Sequence, residues 1–220
     1  MTIAQWLRAL PVAGEDLPDV DLDRLPEDPI TLVVDSIRHA VDAGVPAPHA
    51  MTLATADPAG LVSARALILK DATGDRLAFA TRRDSFKAAQ LAANPRAAVV
   101  FLWPAVGDQL RAYGPVIDLG DEASAADFLA RNPYSRASCV TGHQGEELPD
   151  RDVHAAAFTA ALEKVTADPD YVDPDWRAMA LVPDAVEWWH TSRAGQVRVV
   201  YERAGEDAAR VRWRRFLRWP

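Results

Sequence analysis

The sequence has one cysteine, so an internal disulfide bond is excluded. Cys139 is the single thiol in 220 residues, which agrees with a reducing compartment. No run approaches the roughly 18 uninterrupted apolar residues that a membrane-spanning helix needs. The N-terminus also lacks the basic start, apolar stretch and cleavage site of a secretory signal. We therefore expect a cytoplasmic protein with no membrane partner.

Basic residues are in deficit, since 24 Lys and Arg stand against 32 Asp and Glu and give a formal net charge of −8. Binding to nucleic acid depends on releasing counterions from phosphates, so this balance argues against a nucleic-acid partner. The exception is the C-terminal run RVRWRRFLRWP, whose alternating arginines and aromatic rings could stack on single-stranded bases. The same alternation is typical of a half-buried strand, which is the interpretation we prefer.

Glycine-rich phosphate loops are missing, because neither G-x-G-x-x-G nor G-x-x-x-x-G-K-[ST] occurs. Metal ligands are sparse as well. Cys139 and His143 are spaced i, i+4 and could share a helix face, but without an HxxH or CxxC companion they make a weak metal site. Cys139 with His143 as its base is a covalent alternative, although such a cysteine is usually a small buried hydrophobe. We expect no metal centre.

What remains is the composition of an ordinary globular protein, with 49% hydrophobic and 25% charged residues. Residues 1–27 are rich in Pro, Asp and Leu without a sustained period, so we interpret them as an N-terminal arm with a short helix at AQWLRAL. Residues 28–220 form a single domain, because no repeat or low-complexity linker divides them.

The clearest local prediction is a helix at DPITLVVDSIRHAVDAG. Asp28 is its N-cap, Pro29 its first residue, and Gly44 lies just past its end. Its predicted apolar stripe consists of Ile30, Val33, Val34, Ile37 and Val41.

From residue 50 the pattern changes to short β-type runs separated by turn sequences such as DPAG and PAVGD. The first predicted strands are MTLATA, LVSARALILK, RLAFAT, AAVVFLW and QLRAYGPVIDL. Helices are predicted at DSFKAAQLAAN, DEASAADFLARN and DRDVHAAAFTAALEKV, and strands return at RAMALV, AVEWWH, QVRVVYER and RVRWRRF. Close spacing of this kind indicates antiparallel strands that close into a barrel or a sandwich. The predicted fold class is mainly β with peripheral helices (α+β).

One basic residue stands where a buried anion is expected. Arg65 shares a strand face with Leu67 and Leu69, so it lies near the core and needs an anionic partner there. Lys70 faces the opposite side of the strand unless a bulge intervenes. The simpler alternative for Arg65 is a salt bridge to one of the many carboxylates.

A second basic residue lies in TRRDSFK, where a predicted strand meets a predicted helix. Thr81, Ser85 and Lys87 stand at this junction, and free N–H groups and the helix dipole favour a phosphate there. The alternative is plain helix capping by Asp84 or Ser85.

Five segments follow one another in a distinctive order: RALILK, FATRRDSFKAAQLAANPRAAVVFLW, GDQLRAYGPV, VPDAVEWWH and RVVYER, before the final tryptophan and proline. Together they resemble the pyridoxine (pyridoxamine) 5′-phosphate oxidases and their relatives in phenazine biosynthesis, from about Asp28 to Pro220. The stretch SCVTGHQGEELPDRD looks closer to the phenazine-associated branch. The resemblance implies an FMN-binding split barrel, a homodimer with active sites at the interface, a small anionic substrate, and dioxygen as the electron acceptor.

Position by position, the resemblance implies that Arg65 and Lys87 bind the flavin phosphate, with Ser85 close by. Further FMN contacts, some of them from the second subunit, would be Ala66, Leu67, Ile68, Lys70, Ala80, Thr81, Gln109, Gln144, Gly145, Trp189 and Arg198. The substrate site would contain Lys70, Asp127, Arg131, Ser135 and Gln196.

The sequence departs from the family pattern in three places. Phe86 stands where a second phosphate-binding arginine is usual, which removes one charge-assisted contact of about 1.5–3 kcal/mol. Asp127 replaces a tyrosine, and its carboxylate would repel a substrate phosphate. The Arg-x-His pair that embraces the substrate ring aligns with Ala194 and Gln196. The nearest cationic side chains are Arg193 and Arg198.

We expect an FMN-dependent oxidase in which a hydride passes from a substrate C–H bond to flavin N5 and dioxygen reoxidises the flavin. The conventional substrate is pyridoxamine or pyridoxine 5′-phosphate. The alternative is a secondary-metabolite ring such as a dihydrophenazine carboxylate. A non-catalytic flavin-binding protein is a hypothesis of a different class, which the same departures favour. A nucleic-acid module built on the C-terminal arginines is the least favoured hypothesis.

Overall fold

The computed structural model describes residues 1–14, 17–207 and 210–220. Its strands are β1 Ala50–Ala56, β2 Val62–Ile68, β3 Leu77–Arg82, β4 Arg96–Trp103, β5 Asp108–Asp118, β6 Trp176–Leu181, β7 Ala185–Ser192, β8 Gly195–Asp207 and β9 Arg210–Arg218. Its α-helices are α1 Ile3–Arg8, α2 Pro29–Asp42, α3 Phe86–Ala93, α4 Gly120–Leu129, α5 Pro133–Val140 and α6 Arg151–Ala167. Short 3-10 helices lie at Leu22–Arg24 and Pro104–Val106. None of the helices in these ranges is long and apolar enough to cross a lipid bilayer.

All described strand pairs are antiparallel, in the order β2-β1-β4-β5-β7-β8-β9. Strand β5 leaves this path after Pro115, because its later residues Val116–Asp118 pair with β6, which in turn pairs with β3. A side chain at Gly114 would lie 2.1 Å from the carbonyl oxygen of Val182, so only glycine allows this close crossing. The predicted α+β fold is confirmed as a split barrel, although the described strands do not close into a continuous ring.

The core lies on one face of the sheet, where alternate residues of neighbouring strands are buried. Leu53, Val99 and Ala112 stand directly opposite one another across β1, β4 and β5, and all three are fully buried. This is the period-2 pattern expected for a sheet with one covered face.

Helix α2 is capped as predicted, with Asp28 accepting from the backbone N–H of Ile30 and Thr31. The predicted apolar stripe is wrong at one end, because Val41 is 56% exposed while Ala40 is fully buried. The buried row runs through Leu32, Ser36 and Ala40 at intervals of four residues. Small residues in this row let the helix lie close to the core, and apolarity alone did not reveal them.

The predicted N-terminal arm contains its short helix, α1, in which no residue is buried. Further along, the Pro18 carbonyl accepts from His190 Nε2 at 3.0 Å, and the Pro26 carbonyl accepts from the Tyr201 hydroxyl at 2.8 Å. This part of the arm therefore lies against β7 and β8 of its own chain. Residues 15–16 of the predicted arm lie outside the described residues, and the division at residue 27 stays a prediction.

The C-terminal run forms the predicted half-buried strand, β9. Trp213 packs against the core, while Arg214 and Arg218 form ion pairs with Glu202 at 2.5 and 3.4 Å. Arg215 donates to the Leu25 carbonyl at 2.9 Å. These contacts occupy arginines on which the nucleic-acid hypothesis depended.

Helix α5 was not predicted, although Asn132 caps it and Pro133 stands at its first position. It ends at Val140, and His143 lies beyond it with φ +56°. Cys139 and His143 therefore do not share a helix face, contrary to the spacing argument. Cys139 is buried, and burial raises the pKa of its thiol, which disfavours the thiolate that a nucleophile needs.

Candidate functional site

Two basic side chains, Arg65 of β2 and Lys87 of α3, lie close together near the junction of β3 and α3. Lys87 Nζ donates to Thr81 Oγ1 at 3.1 Å and to Gln144 Oε1 at 3.3 Å. Burial lowers the pKa of Lys87, and the positive charge of Arg65 lowers it further. Arg65 and Lys87 therefore lie close enough to repel each other.

Arg65 is surrounded by neutral acceptors. Its guanidinium donates to the Leu53 carbonyl at 3.2 Å, to Thr55 Oγ1 at 2.8 Å and to Ser63 Oγ. Burial lowers the pKa of Arg65. Within the described part of the chain, neither Arg65 nor Lys87 forms an ion pair with a carboxylate. The alternative of a salt bridge for Arg65 is therefore wrong.

The hydroxyl groups beside Arg65 are held by Gln90, a residue that was not predicted as part of the site. Gln90 Oε1 accepts from Thr55 Oγ1 at 2.5 Å and from Ser63 Oγ at 2.7 Å, and its Nε2 donates to the Leu61 carbonyl at 2.8 Å. Gln90 follows Lys87 by one helical turn, and this i, i+3 spacing could have placed it at the same site.

Ser85 caps helix α3, so the capping alternative is correct for Ser85 and wrong for Asp84. Its Oγ accepts from the Ala88 N–H at 3.3 Å and lies 3.0 Å from Thr81 Oγ1. Asp84 instead pairs with Arg82 at 2.9 Å. The capping hydroxyl and the Lys87 ammonium therefore share Thr81 as a neighbour.

A second group joins most of the predicted substrate residues. Lys70 Nζ lies 3.9 Å from Asp127 Oδ1, and Asp127 Oδ2 accepts from the Trp176 indole N–H at 2.8 Å. The Arg131 guanidinium lies over the Trp176 ring, 4.7 Å from its centroid. Ser135 is half-buried in the first turn of α5, where its N–H donates to the cap. Trp176 was not predicted, since nothing local in the sequence marks it.

A third group lies in a row across three strands. Gln109 of β5 stands directly opposite Trp189 of β7, which stands opposite Arg198 of β8. The Arg198 guanidinium donates to both oxygens of Glu187 at 2.9 Å. Burial would raise the pKa of Glu187, but its hydrogen bonds from Arg198 and Arg111 outweigh burial and lower it. Arg198 is therefore engaged by a carboxylate of its own chain.

The first and third groups lie on opposite faces of the sheet. Arg65 pairs directly with Leu53, and the same face continues through Val99 to Ala112. Gln109 lies three residues from Ala112 on the same strand, in continuous register. Because side chains alternate along a strand, Gln109 and its row point away from the face of Arg65.

Two of the three departures from the family pattern, at Phe86 and at Ala194 with Gln196, lie at the surface. Phe86 is 55% exposed at the first position of α3. Ala194, Gln196 and Arg193 are exposed at the turn between β7 and β8, where the Ala194 N–H donates to Asp19 Oδ1 at 3.3 Å. The arm therefore contacts this turn in the same chain.

The other predicted cofactor residues are distributed around these groups. Ala66 and Ile68 are exposed on β2, whereas Leu67 packs against the core. Ala80 is buried in a small cluster with Trp176. Gly145 is exposed in the loop after α5 and has φ +93°, a conformation that favours glycine.

Comparison with known proteins gives a consistent result. A family model described as pyridoxamine 5′-phosphate oxidase matches residues 37–164. The pyridoxine/pyridoxamine 5′-phosphate oxidase of Anaeromyxobacter dehalogenans (strain 2CP-C) is 36% identical over 181 residues, which cover 81% of this chain and 91% of that protein. The enzyme of the same name from Rhodococcus jostii (strain RHA1) is 35% identical over 172 residues, or 78% and 77% of the two chains.

Solved structures extend the likeness to the fold. PhzG from Burkholderia lata 383, in complex with tetrahydrophenazine-1-carboxylic acid, matches with a TM-score of 0.83 and 27% identity over 93% of this chain and 100% of that one. A pyridoxamine 5′-phosphate oxidase-related, FMN-binding protein from Nostoc punctiforme PCC 73102 has a TM-score of 0.66 at 22% identity, over 87% and 95% of the two chains, and shows the fold alone. The sequence and family matches together show that this chain belongs to the pyridoxamine 5′-phosphate oxidase family, and that it is an oxidoreductase whose cofactor is FMN.

Proposed function

We propose that this protein oxidises a small anionic substrate and that Arg65 and Lys87 bind the phosphate of its FMN. The observation behind this proposal is the pair of partly buried cations without a carboxylate partner among the described residues. Unpaired buried charge is unfavourable, and a phosphate group with about 1.5 to 2 negative charges would offset both cations.

The neighbouring donors fit a phosphate group as well. The Thr81 and Ser85 hydroxyls lie beside Lys87, and Ser85 begins a helix whose N-terminal dipole favours an anion. Gln90 fixes the hydroxyls that contact Arg65, so that the arginine is held before the ligand arrives. Such pre-organisation lowers the entropy cost of binding.

Bound FMN supplies the redox chemistry, in which a hydride is accepted at N5 and dioxygen restores the oxidised ring. The protein residues supply position and charge. Lys70 and Arg131 orient the substrate anion, and the buried Trp176 side chain excludes water from the surface between these two residues.

A homodimer completes the site in this proposal. Arg65 and the Gln109–Trp189 row lie on opposite faces of one sheet, so one chain cannot bring both to one small ligand. The outer face that bears this row also exposes Ile68, Leu102 and Tyr113. Apolar surface of this kind favours contact with a second subunit. Light scattering of the FMN-loaded protein tests this point, and a monomer with full FMN affinity would contradict it.

Two substrate classes follow from the relatives. The sequence relatives are named for pyridoxine and pyridoxamine 5′-phosphate, whereas PhzG was solved with a ring carboxylic acid. The exposed Ala194 and Gln196 supply no cation over the substrate ring, which favours the second class. Hydrogen peroxide release, measured with pyridoxamine 5′-phosphate and with a dihydrophenazine carboxylate, distinguishes them. Tight FMN binding without turnover of any substrate would favour a non-catalytic flavin-binding protein.

The decisive experiment is a titration of the apoprotein with FMN. We expect yellow protein with flavin absorbance and a raised melting temperature. Lys87→Met should weaken FMN binding about tenfold to a hundredfold, because one charge-assisted contact of about 1.5–3 kcal/mol is lost. Arg38→Met, which removes a 73% exposed positive charge on α2, is the control. Colourless protein that FMN does not stabilise would end this proposal.

A further inference from the structure

The group of Lys70, Asp127 and Arg131 around Trp176 has a smaller net positive charge than the pair of Arg65 and Lys87. Lys70 and Arg131 contribute two positive charges, and Asp127 contributes one negative charge at 3.9 Å from Lys70. Their sum is one positive charge. Arg65 and Lys87 together have two positive charges and form no ion pair within the described ranges.

Asp127 is fixed in place. One of its oxygens faces Lys70 and the other accepts from the Trp176 indole, while its side chain is only 16% exposed. The next residue, Phe128, is fully buried and anchors helix α4 against Trp176, with ring centroids 6.1 Å apart. The carboxylate therefore stays beside Lys70 when a ligand binds there.

We infer that Asp127 is a specificity-determining residue that makes the Lys70–Arg131 subsite select substrate anions of one negative charge over phosphate monoesters. A phosphate monoester has about 1.5 to 2 negative charges at neutral pH, whereas a carboxylate has one. One negative charge neutralises the subsite. Any further charge meets the Asp127 carboxylate, and like charges repel. This inference rests on the proposed function, which assigns Lys70 and Arg131 to the substrate.

Arg131 provides the matching donor. Its Nε is buried and has no hydrogen-bond partner among the described residues, while its guanidinium carbon lies over the Trp176 ring, 4.7 Å from the centroid. A buried N–H without a partner is unfavourable, and a single acceptor oxygen of a carboxylate would satisfy it.

The test measures binding to the FMN-loaded protein, by changes in the visible absorbance of the flavin. The two probes are pyridoxamine 5′-phosphate and 4-pyridoxate, which have related pyridine rings but differ in the charge of the anionic group. Asp127→Asn keeps an oxygen for the Trp176 indole and removes the charge. We expect it to tighten binding of the phosphate relative to the carboxylate by about tenfold or more, the scale of one like-charge interaction in a partly buried site.

Two further variants control for structure and for overall charge. Glu122→Gln removes the same charge from an exposed position of α4 and should leave the ratio of the two affinities unchanged. Asp127→Glu keeps the charge and should keep the preference of the natural protein. If Asp127→Asn leaves the ratio unchanged, or if the natural protein already binds the phosphate more tightly, the inference is wrong while FMN binding stands. Protein that takes up no FMN overturns the proposed function and this inference together.

Discussion

Arg65 and Arg82 lie on consecutive strands, β2 and β3, and differ in what surrounds their charge. Arg82 is 8% exposed and forms ion pairs with Asp84, Asp173 and Asp175. Burial would lower the pKa of Arg82, but the hydrogen bonds it donates to Asp84 and the charges of the three aspartates outweigh burial and raise it. For Arg65 no carboxylate among the residues that the structure describes opposes burial, and its pKa is lowered.

This difference separates an arginine that stabilises the fold from one that is held ready for a ligand. Arg82 also donates to the Cys139 carbonyl at 2.7 Å, so it ties the end of α5 to β3 and to the segment before β6. Within the described ranges, the hydrogen bonds of Arg65 all go to neutral groups of β1 and β2. Substituting each arginine should therefore affect different properties of the protein.

The largest effect is expected for Arg82→Met. It leaves Asp173, with a side chain 4% exposed, buried without its cation. Removing one partner of a buried ion pair costs on the order of 3–5 kcal/mol. Urea unfolding of the apoprotein measures this loss. Arg83→Met, at the exposed neighbouring position, is the control, and an equal loss in both variants would contradict the structural role of Arg82.

Arg65→Met should weaken FMN binding and leave the stability of the apoprotein intact. The apoprotein should keep its free energy of unfolding or gain slightly, because a partly buried charge without an acid partner is removed. FMN binding should weaken about tenfold to a hundredfold, from loss of about 1.5–3 kcal/mol. The two measurements are urea unfolding without FMN and titration with it. Loss of apoprotein stability comparable to that of Arg82→Met would remove the distinction between the two sites.

The sequence predicts local features of these regions well. The N-cap at Asp28, the strand–helix junction at Ser85 and the inward face of Arg65 all depend on residues within a few positions of one another.

Partners distant along the chain could not be predicted in this way. Asp173 lies 91 residues from Arg82, and Trp176 lies 49 residues from Asp127. The first contact depends on β6 pairing with β3 and the second on α4 packing against β6, and no local pattern specifies either arrangement. For the same reason, the sequence TRRDSFK shows two neighbouring arginines but does not predict which carboxylates surround Arg82.

His190 is a titratable counterpart of Arg82, and its charge should make stability depend on pH. Its Nδ1 lies 2.6 Å from Asp108 Oδ1 and its Nε2 lies 3.0 Å from the Pro18 carbonyl, so both ring nitrogens face acceptors. Burial would lower the pKa of His190, but the hydrogen bond and charge of Asp108 outweigh burial, with smaller contributions from Pro18 and Asp19, and raise it. The ring also stacks on Trp188.

Because the folded-state pKa is raised, the stabilisation should be fully present below about pH 6.5, the value of an unfolded histidine, and should be lost as pH rises through the folded-state pKa. Urea unfolding of the apoprotein from about pH 6 to about pH 9 measures this slope. His190→Gln should flatten it. His154→Gln, at an exposed position of α6, should not. A natural protein whose stability rises across this range would contradict the assignment.

The smallest effect is expected for Phe86→Arg, which adds a third cation beside the unpaired pair. Phe86 is 55% exposed at the first position of α3, one residue before Lys87. A new charge-assisted contact to the flavin phosphate favours binding, but exposure to solvent screens it. The positive end of the helix dipole opposes a cation there by about 0.3–1 kcal/mol. We therefore expect FMN affinity to rise only about two- to fivefold, with lower apoprotein stability, because the added charge repels Arg65 and Lys87 until phosphate is bound.

Phe86→Gln, which removes the ring without adding charge, is the control for the FMN titration. A gain in that variant as large as in Phe86→Arg would show that the ring hinders binding and that charge at this position contributes nothing.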